Sequence, residues 1–261
     1  MNMKAIEVEL YIPIGQNAAL SAGKEIARLF QEGSFDSVKK SDNSPFSKAD
    51  KAAHDIIYTI LKPSGLPILS EEGSQIPYEE RRSWHRYWLI DPVDGTKEFI
   101  SGCPDFTVNI ALIEESYPVL GVVYVPVTDT LYWGSRQAGA WKKSGLNAPE
   151  QLHGSDSGKK LSIVVSKHHG AGKTMDFLRQ FPQATVSTRG SSLKFMLLAE
   201  GSAQLYPRLA PTMEWDTAAS QAILEAAGGQ VLTYVEGKRL QYNKESLVND
   251  WFVAHASSLY L

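Results

Sequence analysis

WLIDPVDGTKEF, residues 88–99, runs from an aromatic and two aliphatic residues straight into Asp91-Pro92-Val93-Asp94-Gly95-Thr96. The apolar run reads as a buried strand, and Gly95-Thr96 as the opening of a helical turn. One carboxylate at a strand end is ordinary. Two of them, three residues apart at the end of an apolar strand, repel each other unless a cation or strong donors compensate. Proline sets their spacing and glycine frees the backbone behind them. The stretch is arranged to hold something positively charged.

Working outward, residues 17–33 place Leu20, Ile26, Leu29 and Phe30 on one helical face, with Gly33 as the stop. Ser47 opens SKADKAAHDIIYTILKPSG. Here Ala53, Ile56, Ile57, Ile60 and Leu61 recur at helical spacing until Pro63 and Gly65. ILSEEG (68–73) is a short strand ending in acidic residues. Downstream, 106–113, 119–127 and 130–135 read as successive antiparallel strands. Residues 142–160, rich in Gly, Ser and charge, read as a linker. They divide an N-terminal α+β domain (1–145) from a C-terminal α/β domain (146–261). In the second half, strands over 161–166, 184–188 and 202–207 alternate with helices over 174–181, 192–201 and 215–229. Asp216 is the expected N-cap of the last helix and Gly228-Gly229 its stop. QVLTY and WFVAH close the chain as strands.

The 261 residues are 43% hydrophobic, enough for a substantial core, and the net charge of −3 argues against nucleic acid as a bulk partner. The single cysteine, Cys103, excludes an intrachain disulfide; with no base expected beside it, it reads as a small packing residue. The first twenty residues lack the basic n-region and unbroken apolar run expected of a signal peptide, and no window of the sequence approaches a membrane-length apolar run. These features lead to the expectation of a soluble cytoplasmic protein, with peripheral attachment to the inner face of a membrane left open and the oligomeric state unspecified.

Four acidic stations lie where a strand or loop meets a helix: Asp50, Glu71-Glu72, Asp91 with Asp94, and Asp216. Such junctions collect at one edge of a layered sheet. Ser47 and Asp50 also fit a capping box. Six scattered histidines lack zinc spacings, so carboxylates alone favour a hard ion: Mg²⁺, Mn²⁺ or Ca²⁺. Counted from Asp91, the glycine and glutamate of an EF-hand are missing, and that reading fails. Two hard ions clamp the attacking and leaving oxygens of a phosphoryl transfer, and free N–H groups behind Gly95 point at an anion. The residues alone lead to a metal-dependent phosphatase.

Glu71-Glu72, Asp91-Pro92-Val93-Asp94-Gly95-Thr96 and Trp215-Asp216-Thr217-Ala218 together resemble the inositol monophosphatase-like phosphatases, in the order that family shows. Thr96-Lys97-Glu98-Phe99 and the stretch from Arg189 to Ala219 resemble its 3′(2′),5′-bisphosphate nucleotidase branch, whereas Val165-Ser166-Lys167-His168 departs from the Ser-Arg-Ser-His of that branch. The resemblance implies a layered αβαβα sandwich of the sugar-phosphatase type. It also implies hydrolysis of the 3′-phosphate of adenosine 3′,5′-bisphosphate to AMP, in sulfur assimilation. The rival of the same fold is an inositol monophosphatase or sugar bisphosphatase. Dependence on two or three Mg²⁺ ions, tolerance of Mn²⁺ and inhibition by Li⁺ and Ca²⁺ are further implications. Glu71, Asp91, the Val93 carbonyl, Asp94 and Asp216 resemble metal ligands; Asp50 and Thr96 resemble the pair orienting the attacking water, and Glu72 acts through water. Gly95 and Thr96 are expected to donate N–H groups to the phosphate. Gly190, Ser191, Ser192 and Lys194 are expected around the nucleotide, with Tyr206 as a stacking face and Arg208 for the 5′-phosphate.

Overall fold

The computed structural model describes residues 8–35, 37–39, 45–73, 75–154, 160–167 and 172–257. Its largest sheet is built around β4 (Arg86–Asp94), whose residues alternate between two cores. Trp88 and Ile90 pack on one face and Tyr87 and Leu89 on the other, which is why the strand reads as continuously apolar. Of the shorter N-terminal strands, β1 (Ser37–Lys39) and β2 (Pro45–Ser47) pair as a hairpin, and β3 (Ile68–Ser70) runs parallel to β4. β5 (Thr107–Glu114), β6 (Tyr117–Val125), β7 (Thr130–Ser135), β8 (Gly139–Ser144) and β9 (Glu150–Leu152) follow as an antiparallel meander, completing seven strands in chain order.

Helices α1 (Ile12–Gln31) and α2 (Lys48–Leu61) cover the outer face of this sheet. Their Ala18, Ala22, Ile26, Ala53 and Ile57 meet Ile90, Val108, Ile110 and Val122. The short α3 (Tyr78–Arg81) precedes β4 and α4 (Thr96–Ile100) follows it. A second sheet comprises β10 (Ser162–Ser166), β11 (Thr185–Arg189), β12 (Leu205–Arg208), β13 (Gln230–Thr233) and β14 (Phe252–His255), in the order β11-β10-β12-β14-β13. In it β10 runs parallel to both β11 and β12. Helix α5 (Lys173–Leu178) covers its outer face, with Phe177 against Ile163, Val165 and Leu205. Helices α6 (Leu193–Ala199) and α7 (Ala218–Ala226) are sandwiched between the two sheets, with Phe195, Leu198, Ile223 and Leu224 in the shared core. The layers are therefore helix, sheet, helix, sheet, helix, the αβαβα architecture expected from the resemblance.

Several boundaries differ from the sequence reading. Helix α1 starts at Ile12, not residue 17, because Pro13 is welcome in a first turn. It ends at Gln31, and Gly33 follows with φ of 67°. Two strands of the large sheet run into the expected linker, 139–144 between its neighbours and 150–152 at the edge, so that sheet crosses the boundary drawn at residue 145. Strands at and beside a sheet edge that bury few side chains tolerate glycine, lysine and serine, which is why these looked like linker. Residues 155–159 of that stretch lie outside the described residues. Helix α5 stops at Leu178 and β12 begins at Leu205, each shorter than expected.

The sheet and α7 touch at a point where only glycine fits. A Cβ on Gly121 of β6 would lie 2.0 Å from the Ala219 carbonyl oxygen, a backbone atom that cannot swing away. Gly121→Ala should therefore lower stability by about 1–3 kcal/mol, seen as a reduced urea midpoint at unchanged slope.

Candidate active site

The site begins with a miscount between β4 and β5. Asp91 pairs with Asn109 and Asp94 with Thr107, so three steps on β4 match two on β5. In a regular strand, residues three apart point to opposite faces; the extra residue of this bulge returns Asp94 to the face of Asp91. Pro92, which has no N–H to give, sits inside the bulge. Gly95 then takes a left-handed conformation, φ 98°, and a Cβ there would crowd the Asp105 carbonyl oxygen at 3.0 Å. The chain turns at once into α4, carrying the Thr96 hydroxyl back to the Val93 carbonyl and to Asp50.

Glu71, at the end of β3, is held by its N–H to the Ile90 carbonyl at 3.1 Å. Asp216 arrives from the other half of the chain on a short 3₁₀ turn over Glu214–Asp216. It does not cap α7, as the sequence suggested; its Oδ2 accepts the Met213 N–H at 2.9 Å, and α7 starts after Thr217. Glu71, Asp91 and Asp216 each bring a carboxylate oxygen within 4.8 Å of the other two. Burial, then Glu71, Asp94, Asp216 and Asp50, push the Asp91 carboxyl well above its ordinary range. Burial, Asp94 and Glu71 do the same to Asp216, against the Met213 N–H and Arg208. Three carboxylates without histidine or thiolate make an all-oxygen donor set, and their mutual repulsion is the kind a hard divalent cation cancels; the residues fit such an ion.

Asp50 joins its cap role to the site. Its Oδ2 accepts the Ser47 N–H at 2.8 Å, while its Oδ1 accepts the Thr96 hydroxyl at 2.9 Å. Asp94 faces the second half of the chain: its Oδ2 accepts the Ser191 hydroxyl at 2.7 Å and the Ser192 N–H at 2.6 Å. Asn109 Nδ2 adds a longer contact of 3.3 Å. Val93 donates its N–H to Asp91 Oδ1 at 3.1 Å, and its carbonyl lies 3.2 Å from the Thr96 hydroxyl.

A cleft beside these carboxylates is rich in cations. Asp94, Gly95, Glu98 and Asp216 line it together with Lys97, Lys167, Arg189, Lys194 and Arg208. Ser166, Arg189 and Arg208 are the last residues of β10, β11 and β12, so three parallel strands deliver their C-terminal ends to one edge. Arg208 is no loose surface charge. It is buried and fixed by Ser166 Oγ at 2.7 Å and by the Pro211 carbonyl at 2.7 Å. Lys194 lies in the first turn of α6 and donates to the Ser191 carbonyl. Its ammonium also sits 5.3 Å from the centre of the Tyr206 ring, over the face expected to stack on the nucleotide. Tyr206 itself is buried edge-on against Phe195 and Phe252.

Gly190, Ser191 and Ser192 reach the cleft as expected, though two of them spend their donors on Asp94. Glu72 is half-buried and stands outside the three-carboxylate cluster. Cys103 is not isolated: Lys167 Nζ lies 3.2 Å from its sulfur. That lysine is an ammonium donor, not a base, since Asp105 raises its pKa. Asp105, Lys167, Asn109 and Arg189 were not among the expected site residues. Arg189, directly before Gly190, and Lys167, in the stretch that departs from the branch motif, carried a signal; Asp105 and Asn109 become neighbours only through tertiary pairing.

The sequence profile of the inositol monophosphatase family matches residues 7–258, and the chain belongs to that family. Among curated relatives, the 3′(2′),5′-bisphosphate nucleotidase CysQ of Escherichia coli K12 is 43% identical over 238 residues, covering 90% of this chain and 95% of that protein. The CysQ nucleotidase of Buchnera aphidicola is 41% identical over 245 residues, 91% of each chain. The crystal structure of CysQ from Bacteroides thetaiotaomicron superposes with a TM-score of 0.86 at 39% identity, covering 96% of this chain and all of that one. No helix of the described residues is long and apolar enough to cross a membrane.

Protons bound by folded Asp91 and Asp216 but not by the unfolded chain stabilise the fold. Both folded pKa values are raised, so this stability is complete below the unfolded value near 3.8 and is lost as pH rises through the folded ones. The metal-free protein should therefore melt higher on going from about pH 8 to about pH 5, and Asp91→Asn should flatten that rise. Added Mg²⁺ should raise the melting temperature at the alkaline end and lose its effect in acid, where protons compete. Thermal melts with Mg²⁺ or with chelator check both signs.

Proposed function

We propose that this protein is a metal-dependent 3′(2′),5′-bisphosphate nucleotidase, hydrolysing the 3′-phosphate of adenosine 3′,5′-bisphosphate to AMP and phosphate, as in the recycling step of sulfur assimilation. The observation that carries the reading is the cleft itself. It brings Asp94 and Asp216 of the carboxylate site together with Lys167, Arg189, Lys194 and Arg208, more positive charge than one phosphate needs, which suits a small substrate with two phosphates. An inositol monophosphate would leave part of that positive charge without an anion. The names of the relatives, matched over nine-tenths of the chain, agree.

Glu71, Asp91, the Val93 carbonyl, Asp94 and Asp216 are the groups assigned to hold two or three Mg²⁺ ions, with Mn²⁺ as a substitute and Li⁺ and Ca²⁺ as inhibitors. Bound Mg²⁺ supplies charge neutralisation at the phosphate and acidifies water at the site. The chain's own residues do the rest. Thr96 donates a hydrogen bond to Asp50 Oδ1 at 2.9 Å, which leaves its oxygen lone pairs to accept one from the attacking water; as the water attacks, its proton passes to Thr96 while the Thr96 proton passes to the Asp50 carboxylate. Asp50 is held by the Ser47 N–H and buried, so its second oxygen stays turned toward Thr96. Glu72 acts at one remove, through water. The N–H groups of Gly95 and Thr96 steady the phosphate in line for direct attack, without a phosphoenzyme. Gly190, Ser191, Ser192 and Tyr206 form the wall along which the nucleoside lies, and Lys194 and Arg208 meet the 5′-phosphate. An N-terminal half carrying Asp50 to Thr96 and a C-terminal half carrying Asp216 and the cations are part of this proposal, with residues 146–152 counted in the first half.

Phosphate release from adenosine 3′,5′-bisphosphate, beside inositol 1-phosphate and with or without Li⁺, tests the reading. Strong, Li⁺-sensitive turnover of the nucleotide alone is expected; turnover of the inositol ester instead would overturn the nucleotide assignment. Asp91→Asn should abolish turnover with the fold intact by circular dichroism. Thr96→Ala should cost about 100-fold in kcat, and Thr96→Ser much less.

A further inference from the structure

Asp105 lies on the loop between α4 and β5, and its side chain is 15% exposed. Its Oδ2 takes two donors from the other half of the chain, Lys167 Nζ at 2.5 Å and the Gly190 N–H at 3.2 Å. The loop is wedged between two glycines. A Cβ on Gly190 would come within 3.0 Å of Asp105 Cβ and carbonyl oxygen, and one on Gly95 within 3.0 Å of the same carbonyl. One of these glycines ends the carboxylate motif; the other begins the turn that grips Asp94.

That turn is held in an uncommon shape. Ser191 has φ of 52°, left-handed for a residue with a Cβ, and such a conformation persists only where the surroundings over-determine it. Its hydroxyl reaches Asp94 Oδ2 at 2.7 Å and lies 2.6 Å from the Thr107 hydroxyl, and the next N–H reaches Asp94 at 2.6 Å. Immediately upstream, the anchor on the turn is the Gly190 N–H to Asp105. The same carboxylate fixes Lys167 at the lip of the cleft.

We infer that Asp105 is a positioning residue linking the acidic and the cationic groups of the cleft: through Gly190 it locks the Ser191-Ser192 turn that orients Asp94, and through Lys167 it places a cation for the second phosphate. This rests on the nucleotidase reading for the Lys167 arm only; the Asp94 arm needs no substrate. An isolated ion pair at a surface contributes little and would leave function untouched. Here the carboxylate acts on a ligand-bearing carboxylate and a cleft cation together.

Two variants separate the arms. Asp105→Asn keeps an oxygen for the Gly190 N–H and discards the charge that holds Lys167. It should raise KM for adenosine 3′,5′-bisphosphate roughly 5- to 10-fold more than KM for adenosine 3′-monophosphate. Asp105→Ala removes both contacts and should in addition weaken Mg²⁺ binding, read by calorimetry without substrate, by about 10- to 100-fold, with a parallel fall in kcat. Ser191→Ala should reproduce the Mg²⁺ loss, and the double variant should be no worse than Asp105→Ala alone. Unchanged Mg²⁺ affinity in Asp105→Ala, or multiplying effects in the double variant, would overturn the Asp94 arm. Equal KM changes for the two nucleotides in Asp105→Asn would overturn the Lys167 arm. If Asp105→Ala does not fold, the similarly sized Asp105→Leu removes both contacts without opening a cavity and reads the Asp94 arm by the same Mg²⁺ titration, while Asp105→Asn reads the Lys167 arm. Absent turnover of either nucleotide by the unaltered enzyme would instead sink the nucleotidase reading, with the Mg²⁺ titrations still deciding the first arm.

Discussion

Asp91 and Asp94 share one side of the central sheet because β4 carries one residue more than β5 between their paired positions. Nearly everything else at the site is arranged around that extra residue. A strand without it would send one carboxylate toward α1 and α2, into an apolar core where its ionised form has no partner. With it, Asp91 meets Glu71 from the neighbouring parallel strand and Asp216 from the far half of the chain, and Asp94 lies close enough to act on the charge of both Asp91 and Asp216. The bulge converts a three-residue spacing, which belongs neither to strand nor to helix, into a two-carboxylate face.

The cost of this arrangement is electrostatic, and the fold answers it unevenly. Asp94 is relieved by a hydroxyl and an N–H from the Ser191-Ser192 turn, and Asp50 by the start of its own helix. Asp91 has the Val93 N–H, and Asp216 the Met213 N–H; burial and like charges still dominate both. Where local donors are plentiful, a carboxylate serves as a scaffold as well as a reagent. Where they are scarce, the deficit is the affinity for a cation. Asp50 shows that helix capping and chemistry are not rival explanations, because its two oxygens face different partners.

Much of this was legible in the sequence, for identifiable reasons. The helical spacing of Ala53, Ile57 and Leu61, the Ser47–Asp50 box and the apolar run into Asp91 are all short-range patterns, and each survives in the structure. The stop at Gly228 and the order of the acidic stations are of the same kind. What escaped was either weakly patterned or non-local. Strands β8 and β9, at the margin of the large sheet, bury little and so resemble linker. Asp216 sits one turn ahead of α7 on a 3₁₀ segment that no periodicity announces. Asp105 and Lys167, 62 positions apart in sequence, meet only because the loop after α4 and the end of β10 fold to the same lip. The burial of Arg208 is not patterned in the sequence either; the carbonyls of Ala210 and Pro211 that hold it come from the chain's own return past the strand end.

The two sheets contribute different things to the cleft. The seven-stranded sheet provides the bed of carboxylates, and the five-stranded sheet provides strand tips that end in serine and arginine. Tips of short parallel strands are among the most replaceable parts of a fold, whereas a bulged central strand buried on both faces is among the least. Substrate range can therefore drift in a lineage by exchange of a few tip residues, with the hydrolytic chemistry left alone. The exception is the seam where Ser191 and Ser192 grip Asp94. There selectivity and chemistry share atoms, and a change made for a new ligand is felt at once by the old reaction.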